Sequence, residues 1–219
     1  MAELAHDPYA ENALDIMFPP PEGGHGGHGH HESTGIDNRK LGMWVFLSSE
    51  FLFFGALITN YLLFKGRDFG ADALYPVELY DIPFTSISSF VLLMSSLTMV
   101  LAHSSLARGD QEQTRVWLMA TATLGLVFIS GQFFEFTEFV NQGLKLNVNP
   151  AASAFYMLTG FHGAHVVIGV LMLLSLWGFS IRRGGLSEDH GMNLELVGLY
   201  WHFVDIVWIA LFVIVYLIR

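Results

Sequence analysis

The sequence predicts an all-α integral membrane protein: a bundle of five transmembrane helices behind a disordered N-terminal tail. Hydrophobic residues make up 53% of the 219 and charged ones only 14%, and mean hydropathy is +0.47, well outside the range of a soluble globular chain. The apolar residues gather into five stretches, each near the roughly 20 residues that a helix needs to cross a bilayer. Polar and turn-forming residues fall between them. No cysteine is present, which excludes structural disulfides and thiolate metal sites and leaves His and carboxylate as the side chains for any ion. The length leaves no room for a separate soluble domain beside five spans, and nothing in it points to nucleic acid.

Residues 1–38 form the first unit. They hold acidic residues and no basic one, and Pro19-Pro20-Pro21 leads into a Gly/His run from Gly23 to His31. Such a composition buries too little surface to fold alone. It lacks the basic start and continuous apolar core of a secretory signal, so it is expected to stay on the mature chain. The histidines between its glycines could hold Cu or Zn loosely, or the segment is only a solvated tether.

Residues 39–219 form the membrane domain. The pattern predicts spans over about Leu41 to Phe64, Phe84 to Leu106, Val116 to Val140, Ala152 to Ile181 and Leu194 to Ile218. Lys65 to Pro83 and Arg108 to Glu112 supply the first two connections, and Asn141 to Pro150 and Arg182 to Asn193 the others. No repeat of fixed period is visible, which disfavours an inverted-repeat transporter. An excess of Lys and Arg on the N-terminal side, from Arg39, Lys40, Arg108, Arg115, Arg182 and Arg183, places the N-terminus in the cytoplasm and the C-terminus outside.

The ionisable side chains inside the spans are the candidate functional residues, because lipid offers them no hydrogen-bond partner. Glu50, amid Phe51, Phe53 and Phe54, reads either as a proton-exchanging acid or as a carboxyl that hydrogen-bonds at a helix contact. Gln132, Glu135 and Glu138 follow at steps of three along one helix face. They suggest a buried hydrogen-bond ladder or half of a dimetal site, although the Glu-x-x-His partner motif of such sites is missing. In the fourth span, Gly160, Gly163 and Gly169 allow a neighbouring backbone to approach, which points His162 and His165 into a tight contact. His202 and Asp205, one turn apart in the last span, must also meet protein. One reading is a structural polar network of Glu135, Glu138, His162, His165, His202 and Asp205. The other is a metal or haem site built from His162, His165, His202 and Glu135.

Taken together these residues resemble subunit III of the haem-copper terminal oxidases, most closely its cytochrome c oxidase branch. The resemblance rests on Leu41-Gly42-Met43 before Ser49-Glu50-Phe51, Ala102-His103 before Gly109-Asp110, and Gln132 with Glu135. It continues through Gly160-Phe161-His162-Gly163-Ala164-His165-Val166 and Trp201-His202-Phe203-Val204-Asp205-Ile206-Val207-Trp208. It covers nearly everything after the tail. The animal form has seven helices and this chain has room for five, as in bacterial forms lacking the first two, so features assigned to those two helices do not carry over.

The resemblance implies a non-catalytic subunit of a proton-pumping respiratory oxidase in a bacterial plasma membrane. Haem and copper are then expected in subunits I and II and no metal or cofactor in this chain, with subunit I the main partner beside subunit II, small subunits and membrane lipids. Glu50 matches the family's buried, carbodiimide-reactive carboxylate, linked to proton uptake and to durability in turnover. Subunit III of a quinol oxidase, or the related accessory subunit of a nitric-oxide reductase, remains the alternative; Ser49-Glu50 and Tyr200-Trp201 favour the cytochrome c branch.

Overall fold

The computed structural model describes residues 37–67, 69, 76, 81–182 and 188–218, with backbone only for 188–190. The tail expected over 1–38 lies almost wholly outside them. Five helices follow in order: α1 (Asn38–Phe64), α2 (Ile82–Ala107), α3 (Gln111–Asn141), α4 (Pro150–Arg182) and α5 (Glu188–Phe212), the last continuing into a π-helical turn over Val213–Leu217. Each carries a stretch long and apolar enough to cross a membrane, and Arg39–Arg219 form one compact unit.

Most of the helices run past the apolar stretches that announced them, because local chemistry sets their ends. Asp81 and Asp110 accept the amides of Phe84 and Gln113 at 3.1 and 3.0 Å, and Asn149 accepts that of Ala152 at 2.7 Å. These side chains satisfy amides that a helix start leaves free. The third helix therefore begins at Gln111, a polar turn before its apolar pattern starts. At the other ends, Gly109 and Gly143 take φ of 77° and 95°, a left-handed geometry that stops a helix and that glycine adopts without a Cβ penalty.

Neighbouring helices mostly run antiparallel. The pairs Thr98–Thr121 and Thr85–Glu135 join α2 to α3, and Arg115 of α3 donates to the hydroxyl and carbonyl of Ser180 at the far end of α4. The core is aromatic: Phe128, Phe139, Phe155, Trp201 and Tyr216 are all fully or almost fully buried. Lipid tails are as apolar as these rings, so what selects this arrangement is close packing and hydrogen bonding rather than withdrawal from water.

The centre of the packing is Trp201. Its ring lies so close to α3 and α4 that a Cβ on Gly125 would come within 2.6 Å of it, and one on Gly169 within 2.7 Å. Its Nε1 donates to Ser95 of α2 at 2.9 Å. One side chain of α5 thus touches three other helices. Two turns on, Trp208 donates to Ser89 at 2.9 Å, so the α2–α5 seam is a ladder of tryptophan and serine.

The first helix is held differently. Its central window is the least buried of the five spans, and its backbone stands off from the bundle behind a layer of rings. Three polar clasps fasten it: Lys40 to Glu195 at 2.8 Å, Glu50 to His165 at 3.0 Å, and Lys65 to the carbonyls of Ile214 and Ile218 around the π-turn.

Candidate functional site

At the middle clasp α1 meets α4. His165 Nδ1 lies 2.7 Å from the carbonyl of Phe161, one turn earlier on its own helix. A carbonyl only accepts, so Nδ1 carries the hydrogen and donates it. Its Nε2 faces Glu50 Oε2 at 3.0 Å. Two protonation patterns fit that contact: a neutral imidazole accepting from a carboxylic acid, or an imidazolium donating to a carboxylate. In both, one proton sits between Nε2 and the carboxyl. Phe53 and Phe54 flank the imidazole with ring centroids 6.4 and 5.0 Å away. Tyr200 stacks near it and donates to the His165 carbonyl at 3.1 Å. The side chains of His165 and Glu50 stay 13% and 19% exposed, so the proton is shielded but reachable from the surface of the bundle.

The remaining polar residues do not join this pair. The single network in which His202 and Asp205 reach His162, His165 or Glu135 is replaced by separate contacts. Glu135 is buried and accepts from Thr85 at 2.8 Å, with the Tyr216 hydroxyl bonded to the same carboxyl. Glu138, one turn on, is exposed and accepts from Gln142 at 2.8 Å; the slow rotation of the face over three residues carries it out of the core. His202 Nδ1 lies 2.6 Å from the Ser96 hydroxyl. Asp205 is buried, and among the described residues its carboxyl forms no hydrogen bond of good geometry, although Ser96 lies within its reach.

His162 is fully buried, stacked on Trp208 at 4.8 Å with the edges of Phe128 and Phe54 around it, and neither ring nitrogen has a partner among the described residues. His165 and His202 are engaged elsewhere, and among the described residues no three His, Asp or Glu side chains converge as a bound ion requires. The alternative metal site of His162, His165, His202 and Glu135 therefore has no common centre.

Of the three packing glycines, Gly163 and Gly169 meet side chains and Gly160 does not. A Cβ at Gly163 would lie 2.5 Å from Gln132 Oε1, and Gln132 Nε2 bonds the carbonyl of Thr159 at 2.9 Å. Among the described residues nothing comes within 4 Å of a Cβ at Gly160, so no close approach there requires a glycine. Sequence reasoning passed over Gly125 and the hydroxyls of α2. The signal was present: Ser89 and Ser95 lie six residues apart and their partners Trp208 and Trp201 seven apart, each close to the two helical turns that bring residues back to one face.

The chain matches the family model described as cytochrome c oxidase subunit III over residues 22–218. It is 36% identical over 196 residues to a protein of Staphylococcus saprophyticus named "Probable quinol oxidase subunit 3". That alignment takes in 86% of this chain and 96% of the relative. A Staphylococcus aureus protein of the same name is 34% identical over the same shares.

Proposed function

The chain belongs to the cytochrome c oxidase subunit III family, and from that premise we propose that it supports proton uptake, assembly and durability in a proton-pumping haem-copper oxidase without holding a redox centre itself. The observation that carries the proposal is the Glu50–His165 pair. Its one shared proton passes between carboxyl and imidazole by a shift across a single hydrogen bond. Burial among rings keeps the pair from being swamped by bulk water, and partial exposure lets it exchange. Ionisable groups are costly inside a membrane, and those kept there are found in ion pathways and proton relays. Haem and copper, which supply the electron and oxygen chemistry, belong in this reading to neighbouring subunits, with subunit I the principal partner, subunit II and small subunits beside it, and lipid around them.

For the electron donor the reading is cytochrome c, on the resemblance of Ser49-Glu50 and Tyr200-Trp201 to that branch. A second reading, quinol, is favoured by the names of the two staphylococcal relatives. The location that goes with either is a bacterial plasma membrane, with the N-terminus cytoplasmic and the C-terminus outside.

The test uses the purified complex with Glu50→Gln, which keeps the shape and removes the exchangeable acid. Slower proton uptake or earlier inactivation during turnover is expected, with unchanged haem spectra and full retention of the subunit. Wild-type uptake and lifetime would refute the proton role. Turnover with reduced cytochrome c or with a quinol, on the same preparation, decides the donor.

A further inference from the structure

Between α1 and α5 runs a groove of about 520 Å³, lined by Trp44, Leu47 and Phe51 on one side and Leu199, Phe203 and Ile206 on the other. Its volume lies in the range of sites that hold small organic molecules. The lining is almost wholly apolar; Trp44 contributes an indole N–H donor, and the ring nitrogen that can accept comes from His202. Ser48 also lines it, but its hydroxyl already donates to the Trp44 carbonyl at 2.8 Å. The His202 Nδ1 is taken by Ser96 at 2.6 Å. Its Nε2 has no partner among the described residues, and the half-buried imidazole borders the groove.

Depth decides what could satisfy that nitrogen. At about 1.5 Å per residue, His202 lies roughly 16 Å and 22 Å along the helix from the two ends of the span Gly191–Leu217. With a hydrocarbon core about 30 Å thick, that is close to the midplane. Phospholipid headgroups stay at the surface, and an acyl chain has nothing to offer an imidazole. We propose that the groove binds an isoprenoid quinone, with one ring oxygen hydrogen-bonded to His202 Nε2 and the tail running along the apolar lining.

The imidazole suits both forms of such a ring. When Nδ1 accepts from Ser96, Nε2 carries a hydrogen and donates to a quinone carbonyl; in the other tautomer Nε2 accepts from a quinol hydroxyl. No electron transfer is assigned to the bound ring, so the site stands with either electron donor.

The test is photolabelling of the intact purified complex with an azido-ubiquinone bearing an isoprenoid tail, followed by peptide mapping. Labelling is expected on the segments around Trp44–Leu52 and Leu199–Ile206, and excess ubiquinone should compete it away. His202→Phe should weaken binding about fivefold, as loss of one hydrogen bond does. Because that change also disturbs Ser96, Leu52→Trp fills the groove from a position 73% exposed, without touching the core; labelling there should disappear. Labelling indifferent to both substitutions would overturn the proposal, as would equal competition by phosphatidylcholine or a neighbouring subunit's helix cross-linked into the groove. Turnover with each donor, measured on the same samples, shows separately whether the oxidase reading holds.

Discussion

Substituting Gly169 by alanine tests the clamp around Trp201, because a single methyl group must enter a space the ring already fills. The new Cβ would lie 2.7 Å from Cε3 and 2.8 Å from Cζ3 of Trp201, against the roughly 3.5–4.0 Å at which carbon atoms rest in contact. The ring would have to retreat by about 1 Å. Its far edge, however, lies against α3, where a Cβ on Gly125 would come within 2.6 Å, and its Nε1 is tied to Ser95. Overpacking of this kind costs about 1–3 kcal/mol, partly offset by the roughly 1 kcal/mol by which alanine is the better helix former. On the same helix, Gly160→Ala meets nothing within 4 Å and keeps only the favourable term. The two alanines should therefore differ by about 1–3 kcal/mol. Thermal denaturation of the assembled complex, with retention of the subunit followed on gels, measures the difference. Equal stability of the two variants would refute the clamp.

Three further outcomes follow from the same contacts. Asp205→Ala should be milder than Glu135→Ala in thermal denaturation, since the first removes a carboxyl with no well-made hydrogen bond among the described residues and the second removes one that Thr85 and Tyr216 both bond; the reverse order would show that Asp205 is firmly bonded in the complex. A double-mutant cycle on Glu50 and His165 should return a coupling of about 0.6–1.7 kcal/mol, the range of intramembrane hydrogen bonds, whereas a value near zero would dissolve the pair. Lys40→Ala should cost less than about 1 kcal/mol, because both members of its ion pair are a third or so exposed; a larger loss in the same assay would make that clasp a buried one.

The spans were legible because crossing a bilayer imposes length and hydropathy on each helix separately. Glu50 was legible too, since a carboxyl among phenylalanines stands out whatever it touches. Which residue it touches was not: the partner, His165, lies 115 positions away, and nothing local in either segment names the other. The polar network failed for a related reason. His162, His165, His202 and Asp205 share depth but not direction, and direction depends on helix rotation, which is set by where the large rings fit. Ring packing turns His162 against Trp208 and leaves His202 to Ser96. Gly160 and Gly163 look alike in the sequence; only the position of Gln132 separates them.

The three clasps on α1 also carry an order in time. A ribosome delivers α1 first, yet Lys40, Glu50 and Lys65 all find their partners on α4, α5 and the π-turn. At about 5–20 residues per second, the 115 residues between Glu50 and His165 take roughly 6–23 s to synthesise. Through that interval the nascent helix carries an unmatched carboxyl in the hydrocarbon, where it is costly. The clasps of the first helix can therefore close only after α4, α5 and the π-turn have been made.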